Sequence, residues 1–209
     1  MYYALSIYPQ LSTRSLHSIE KIREKYDPTS GFTRPHITVI FPVPASVGKK
    51  QLISHIQNVL IDWGPFVILL GGFQKSHDHW LFLTLMEGEA QVKNLYKALY
   101  TGILAAYRRD DVEYVPHLGL GLFIKESSTY DWDNPKEADF DREQYQEALH
   151  LAKALPLNSR ILVEELHLTG IPDEILEWAT GKRTKIPVDS CIVEVQKFSF
   201  CHAGAQQRD

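Results

Sequence analysis

Arg34-Pro35-His36-Ile37-Thr38-Val39-Ile40-Phe41-Pro42 decides the reading of this chain. A proline near each end brackets an apolar, β-branched run, which reads as a buried strand. Side chains alternate along a strand, so His36 and Thr38 are expected on one face and Ile37, Val39 and Phe41 on the other. The apolar face suits a covering layer of helices, and the His/Thr face is left for chemistry. Far downstream the pattern nearly recurs as Val115-Pro116-His117-Leu118-Gly119-Leu120-Gly121-Leu122-Phe123. A second proline-led histidine on a second apolar run suggests two similar half-units, each donating one imidazole to a common cleft.

The chain has 209 residues, 44% of them hydrophobic and 23% charged, which suits one domain, 1–209, built of two intertwined lobes around a shared core. A net charge of −4 without any block of Lys or Arg argues against a protein that grips long duplex nucleic acid by neutralising many phosphates. A nucleotide or an RNA end is a better partner, since one cleft needs only a few local donors. Cys191 and Cys201 provide no disulfide framework and are expected as buried reduced thiols. Tyr2 to Tyr8 is apolar but has one strand's length and no basic leader, so neither a signal peptide nor a membrane span is expected; the simplest location is the cytoplasm, as a monomer.

Around the two motifs, periodicity predicts a strand over 2–8 and a helix from Ser12 or Thr13 to about Tyr26, ended by Asp27-Pro28. A second helix is expected from Ser46, with Leu52, Ile53, Ile56, Val59 and Leu60 at helical spacing. A hairpin over 66–86 follows, then a helix over 89–107, the strand of His117, a helix over 140–155, and strands over 161–171 and 191–201. Helices and strands do not alternate simply, so the fold class is α+β, with mostly antiparallel sheets lining a central cleft and helices outside. The polar stretch 125–139 is long for a plain connection, and its Tyr130 and Trp132 either close over a base or anchor the loop to the surface.

Pro35-His36-Ile37-Thr38 and Pro116-His117-Leu118-Gly119 resemble the paired His-x-Thr/Ser motifs of the two-histidine (2H) phosphoesterase superfamily, which includes 2′-5′ RNA ligase and cyclic-nucleotide phosphodiesterase proteins. The N-terminal Tyr-Ala-Leu strand, the motif spacing and the element order are also similar, so the resemblance covers most of the chain. It implies two pseudo-symmetric lobes, each presenting a histidine to the cleft, and a metal-independent reaction without a cofactor. The second motif departs from the pattern, with Gly119 where the family has a hydroxyl.

The chemistry explains the pair. Opening a 2′,3′-cyclic phosphate or cutting a 2′-5′ phosphodiester needs a base for the attacking water and, opposite it, an acid for the departing ribose oxygen. Two imidazoles serve if one is neutral and one charged, and ligation would run the same pair in reverse. Thr38 can donate to a non-bridging phosphate oxygen; Gly119 has no side chain to do so. The bare surface at Gly119 and Gly121 is expected either to admit a bulkier group or main-chain contact with phosphate, or to be filled by a neighbouring aromatic. The expected function is therefore a phosphodiesterase using His36, His117 and Thr38, and the alternative is a nucleotide- or RNA-end-binding protein that keeps the cleft without turnover.

Two rivals come from the remaining histidines. His167-Leu168-Thr169 repeats the pattern without the leading proline, and His167 is expected to line the cleft as an alternative partner for His36. His77-Asp78-His79 has the look of a metal-binding fragment, but its place in a hairpin turn favours a solvated surface over a zinc site.

Overall fold

A computed structural model describes residues 1–125, 131, 134–157, 160–179 and 190–200. The chain runs β1 (Tyr2–Ile7), α1 (Thr13–Tyr26), β2 (Ile37–Pro44), α2 (Lys49–Leu60), β3 (Phe66–Lys75), β4 (Trp80–Glu87), α3 (Glu89–Leu99), β5 (His117–Leu122), α4 (Arg142–Lys153), β6 (Ile161–Val163), β7 (Glu165–Ile171), α5 (Asp173–Ala179) and β8 (Val193–Ser199). The fold is α+β, and its strands form one curled antiparallel sheet in the order β6-β3-β4-β5-β2-β1-β7-β8.

Local chemistry sets the helix ends. The Ser12 hydroxyl accepts the Ser15 N–H at 3.1 Å and caps α1, and the Asp141 carboxylate accepts the Gln144 N–H at 3.0 Å and caps α4. The apolar stripes then bury Ile19, Ile22 and Tyr26 of α1, Leu52 and Ile56 of α2, and Val92, Leu95 and Leu99 of α3. On β4 the period of two is plain: Leu81, Leu83 and Leu85 are buried, while Trp80, Phe82 and Thr84 are half-buried on the other face.

Two expectations fail for tertiary reasons. The helix expected over 89–107 stops at Leu99, because Tyr100 leaves helical geometry to bury its ring and accept the Phe41 N–H on its hydroxyl at 2.9 Å. Gly102, in the left-handed region at φ 51°, then turns the chain into a 3₁₀ segment, Gly102–Tyr107. The run 161–171 is not one strand. It breaks at Glu164 into β6, which pairs with β3, and β7, which pairs with β1.

That break explains the curl. β6 and β7 are separated by a single residue yet stand first and seventh across the sheet, so the sheet must bend until its two flanks nearly meet. The seam is closed by the Phe200 N–H donating to the Glu164 carbonyl at 2.8 Å and by the Phe66 and Phe200 rings, 5.7 Å apart. The concave face of this trough is the cleft, and β2 and β5 run side by side at its centre. Among the described residues no helix is long and apolar enough to cross a membrane.

Candidate active site

The two motif strands meet at one antiparallel pair, Ile37 with Leu118, each the residue after its histidine. Continuing that count by one residue in each direction brings His36 level with Gly119 and Thr38 level with His117. A pseudo-twofold axis therefore passes through the Ile37–Leu118 pair, and the four motif positions occupy the corners of one small patch. Ile37 and Leu118 point outward and are fully buried, while His36, Thr38, His117 and Gly119 line one cleft of about 920 Å³.

Each motif strand also carries an irregularity at the same offset. On β2 the pairing with β1 passes from Thr38 directly to Ile40, and on β5 the pairing with β4 passes from Gly119 directly to Gly121. The unpaired residues, Val39 and Leu120, each lie three positions beyond their histidine. A bulge reverses the alternation beyond it. Phe41, expected on the apolar face with Ile37, consequently lines the cleft and is 38% exposed. Gly121, expected beside Gly119 on the cleft, instead faces α1, where an added Cβ would lie 2.5 Å from the Cβ of Tyr26. Its role there is close helix–sheet packing.

The imidazoles are held alike. Nδ1 of His36 lies 2.7 Å from the Arg34 carbonyl, and Nδ1 of His117 lies 2.6 Å from the Val115 carbonyl, in each case two residues back on its own chain. A carbonyl only accepts, so each Nδ1 carries the hydrogen and Nε2 is the nitrogen free to exchange a proton in the neutral ring. Phe82 stacks on His117 with ring centroids 3.4 Å apart and planes 14° from parallel, fixing the ring's plane.

Both rings are half-buried at the base of the cleft. Burial pushes the His117 pKa down to about 4, opposed by the Val115 carbonyl, and the neighbouring His36 lowers it further. Burial likewise lowers His36, against the Arg34 carbonyl, with the Arg23 guanidinium adding to the depression. Burial thus favours the neutral form of both imidazoles. An anion bound beside them would reverse the balance, because negative charge favours the protonated ring.

Gly119 has an aromatic against it. An added Cβ would sit 3.4 and 3.5 Å from two carbons of the Trp80 ring, an ordinary contact distance, so indole occupies the flank that a second motif hydroxyl would have faced. Trp80 reaches it from β4, where Phe82 pairs with Gly119.

The sequence reading missed a buried ion pair beneath His36. Arg23 is 3% exposed, donates through Nε to Asp27 Oδ2 at 2.8 Å, and donates through its two terminal nitrogens to the carbonyl and hydroxyl of Thr33, each at 2.8 Å. Asp27 accepts the Thr29 N–H and hydroxyl, both at 2.7 Å. The network ties the end of α1 to the segment that delivers Arg34-Pro35-His36. Its available signal was a charged pair at i, i+4 on the same helical face as Ile19, Ile22 and Tyr26.

The other candidates fall elsewhere. His167 is 5% exposed and lines a second hollow, with Nδ1 2.8 Å from Glu194 and Nε2 3.0 Å from Glu165. It is not among the residues lining the cleft of His36 and His117, and Tyr8 stands between, its ring 4.8 Å from His167 and 5.9 Å from His36. His77 lines the large cleft, but His79 turns away, 1% exposed, with Nε2 2.8 Å from the Lys136 carbonyl and its ring against Phe140. Among the described residues no group of three His, Cys, Asp or Glu could hold a metal ion. Cys191 is exposed rather than buried. Tyr130, Trp132 and Cys201 lie outside the described residues.

Comparison with known proteins gives a consistent result. A family model described as the 2′-5′ RNA ligase superfamily matches residues 9–169. The solved structure of E. coli LigT complexed with 3′-AMP superposes with a TM-score of 0.56 at 15% identity, over 96% of this chain and 98% of that one. E. coli LigT complexed with NADP+ gives 0.52 at 14% identity over 95% and 97%, and a crystal structure of a phosphoesterase gives 0.52 at 14% over 96% and 99%. No curated protein matches.

Proposed function

The chain belongs to the 2′-5′ RNA ligase superfamily of LigT-like 2H phosphoesterases, and on that premise we propose that it is a metal-independent phosphodiesterase acting on a 2′,3′-cyclic phosphate or a 2′-5′ phosphodiester of a nucleotide or RNA end. The observation that carries the reading is the register: two imidazoles, each with Nδ1 tied to its own strand, on one patch around the Ile37–Leu118 pair.

In this reading the phosphate enters as an anion and sits over the patch. Its charge opposes the burial that keeps the rings neutral, so one imidazole takes up the proton it will later donate. The neutral ring accepts a proton from water at Nε2 as the water oxygen bonds to phosphorus. The bond from phosphorus to the leaving ribose oxygen breaks, and that oxygen takes the proton of the charged ring. Thr38, level with His117, donates to a non-bridging oxygen and meets the charge that develops there. The stack of Phe82 holds the His117 ring in plane throughout.

Purified protein incubated with nucleoside 2′,3′-cyclic phosphates in EDTA should hydrolyse them. His36→Ala and His117→Ala should each lower kcat by about 10² to 10⁴, and Thr38→Val should cost about 1.5 to 3 kcal/mol of transition-state stabilisation. Tight binding without turnover by the wild-type protein would overturn the enzymatic reading in favour of a binding protein.

A further inference from the structure

The four motif corners sit on a strand pair that is joined at one point. The register between β2 and β5 is limited to Ile37 and Leu118, and Pro116, just before β5, has no N–H with which to extend it. On the other flank of β2 the pairing with β1 passes over Val39. The Thr38–Val39 peptide thus lies where the ladder is interrupted on both sides of the strand. Its orientation is supplied from outside the sheet. The Tyr114 hydroxyl donates to the Thr38 carbonyl at 2.7 Å, and the Tyr100 hydroxyl accepts the Phe41 N–H at 2.9 Å.

Both tyrosines belong to one stack. Tyr96, from α3, lies face to face with Tyr114, with ring centroids 4.0 Å apart and planes 10° from parallel, and its centroid is 4.5 Å from that of Tyr100. The Phe41 ring meets Tyr114 edge-on at 6.2 Å. Burial raises the pKa of both hydroxyl-bearing partners of β2, that of Tyr100 to about 12, so each keeps its hydrogen. The stack leaves the Tyr114 ring little freedom and aims its hydroxyl at one carbonyl. The two motifs are matched here as well. Tyr114 stands three residues before His117, and Thr33, whose carbonyl and hydroxyl are held by Arg23, stands three before His36. Each proline-histidine segment is pinned at the same offset, one by a buried guanidinium and the other by a phenol.

Resting on the function proposed above, we infer that Tyr114 is a positioning residue for that reaction: its hydroxyl, bonded to the Thr38 carbonyl, aims the Thr38 hydroxyl at the phosphate. A shift of the Thr38–Val39 peptide turns the Cα–Cβ bond of Thr38 against the rest of the patch. A β-branched side chain keeps few χ1 choices, so the direction of its hydroxyl follows the backbone. The same tie joins the segment carrying the Val115 carbonyl, the partner of His117 Nδ1, to the residue level with His117. Tyr114→Phe keeps the ring in its stack and removes the tie.

The test is a double-substitution cycle on the hydrolysis of a nucleoside 2′,3′-cyclic phosphate. Tyr114→Phe should lower kcat about tenfold and move KM by less than about twofold. In a Thr38→Val background the same change should cost less than about twofold, because the phenol acts through a hydroxyl that is already gone. Tyr100→Phe removes a phenol bonded to the same strand beyond the bulge; it should lower the urea midpoint about as much as Tyr114→Phe does and leave kcat nearly unchanged. No loss with Tyr114→Phe, an equal loss in the two backgrounds, or a matching kcat loss with Tyr100→Phe overturns the inference and leaves the phosphodiesterase reading standing. If the wild-type protein turns nothing over, it is the acid/base reading that fails, and titration with inorganic phosphate decides the inference. Tyr114→Phe should then weaken phosphate binding about three- to tenfold beside Thr38 and less than about twofold beside Thr38→Val, whereas equal weakening in both, or none, overturns it.

Discussion

Lowering the pH should expose the cost of holding a neutral imidazole in the cleft. His117 in the unfolded chain titrates near its ordinary value of 6.5, whereas burial in the folded protein takes it to about 4. Between those values the unfolded state binds the extra proton, so stability rises with pH there. The contribution is intact above about 6.5, is lost as pH falls toward 4, and levels off below that. The gap multiplied by about 1.4 kcal/mol per pH unit sets an upper bound of about 3 to 4 kcal/mol. Solvent reaching the half-buried ring from the cleft reduces this to about 2 kcal/mol. Urea denaturation of the wild-type protein and of His117→Gln, measured from pH 7.5 to 3.5, isolates the effect: the variant should lose about 2 kcal/mol less than wild type across that window. Parallel loss in the two proteins would refute the claim that burial suppresses the charge on this ring. Saturating phosphate should move the wild-type inflection upward, because the anion favours the protonated form.

Two further perturbations test the frame of the site. Arg23→Leu leaves Asp27 buried without its cation and should cost about 3 to 5 kcal/mol in thermal or urea unfolding, whereas Arg23→Leu with Asp27→Asn should recover part of that loss. Of two glycines on one strand, Gly121→Ala forces a Cβ to within 2.5 Å of Tyr26 and should cost about 1 to 3 kcal/mol, while Gly119→Ala meets only ordinary contact with Trp80 and should be close to neutral in the same measurement.

Much of the architecture is legible in local pattern. The bracketed run of β2, the Ser12 cap, the alternation on β4 and the repeated proline-histidine are short-range signals, and the α+β fold class follows from them. The cleft face of each motif is legible only as far as the third residue past its histidine. Phe41 and Gly121 exchange faces against expectation because a bulge is a property of a pair of strands, and its partner strand lies far away in sequence. His167 is separated from the cleft for a related reason: nothing local in 161–171 reveals that Glu164 parts two strands that join opposite flanks of the sheet.

The sequence by itself therefore determined the candidate groups proposed for the chemistry, His36, Thr38 and His117, and the apolar strands that carry them, since both depend on residue type and a period of two. Only the tertiary structure decided that Ile37 pairs with Leu118, that Arg23 closes on Thr33 beneath His36, and that Trp80 fills the flank of Gly119. Those outcomes depend on which distant segments pack together, and the free energy of that packing belongs to the closed sheet rather than to any one strand.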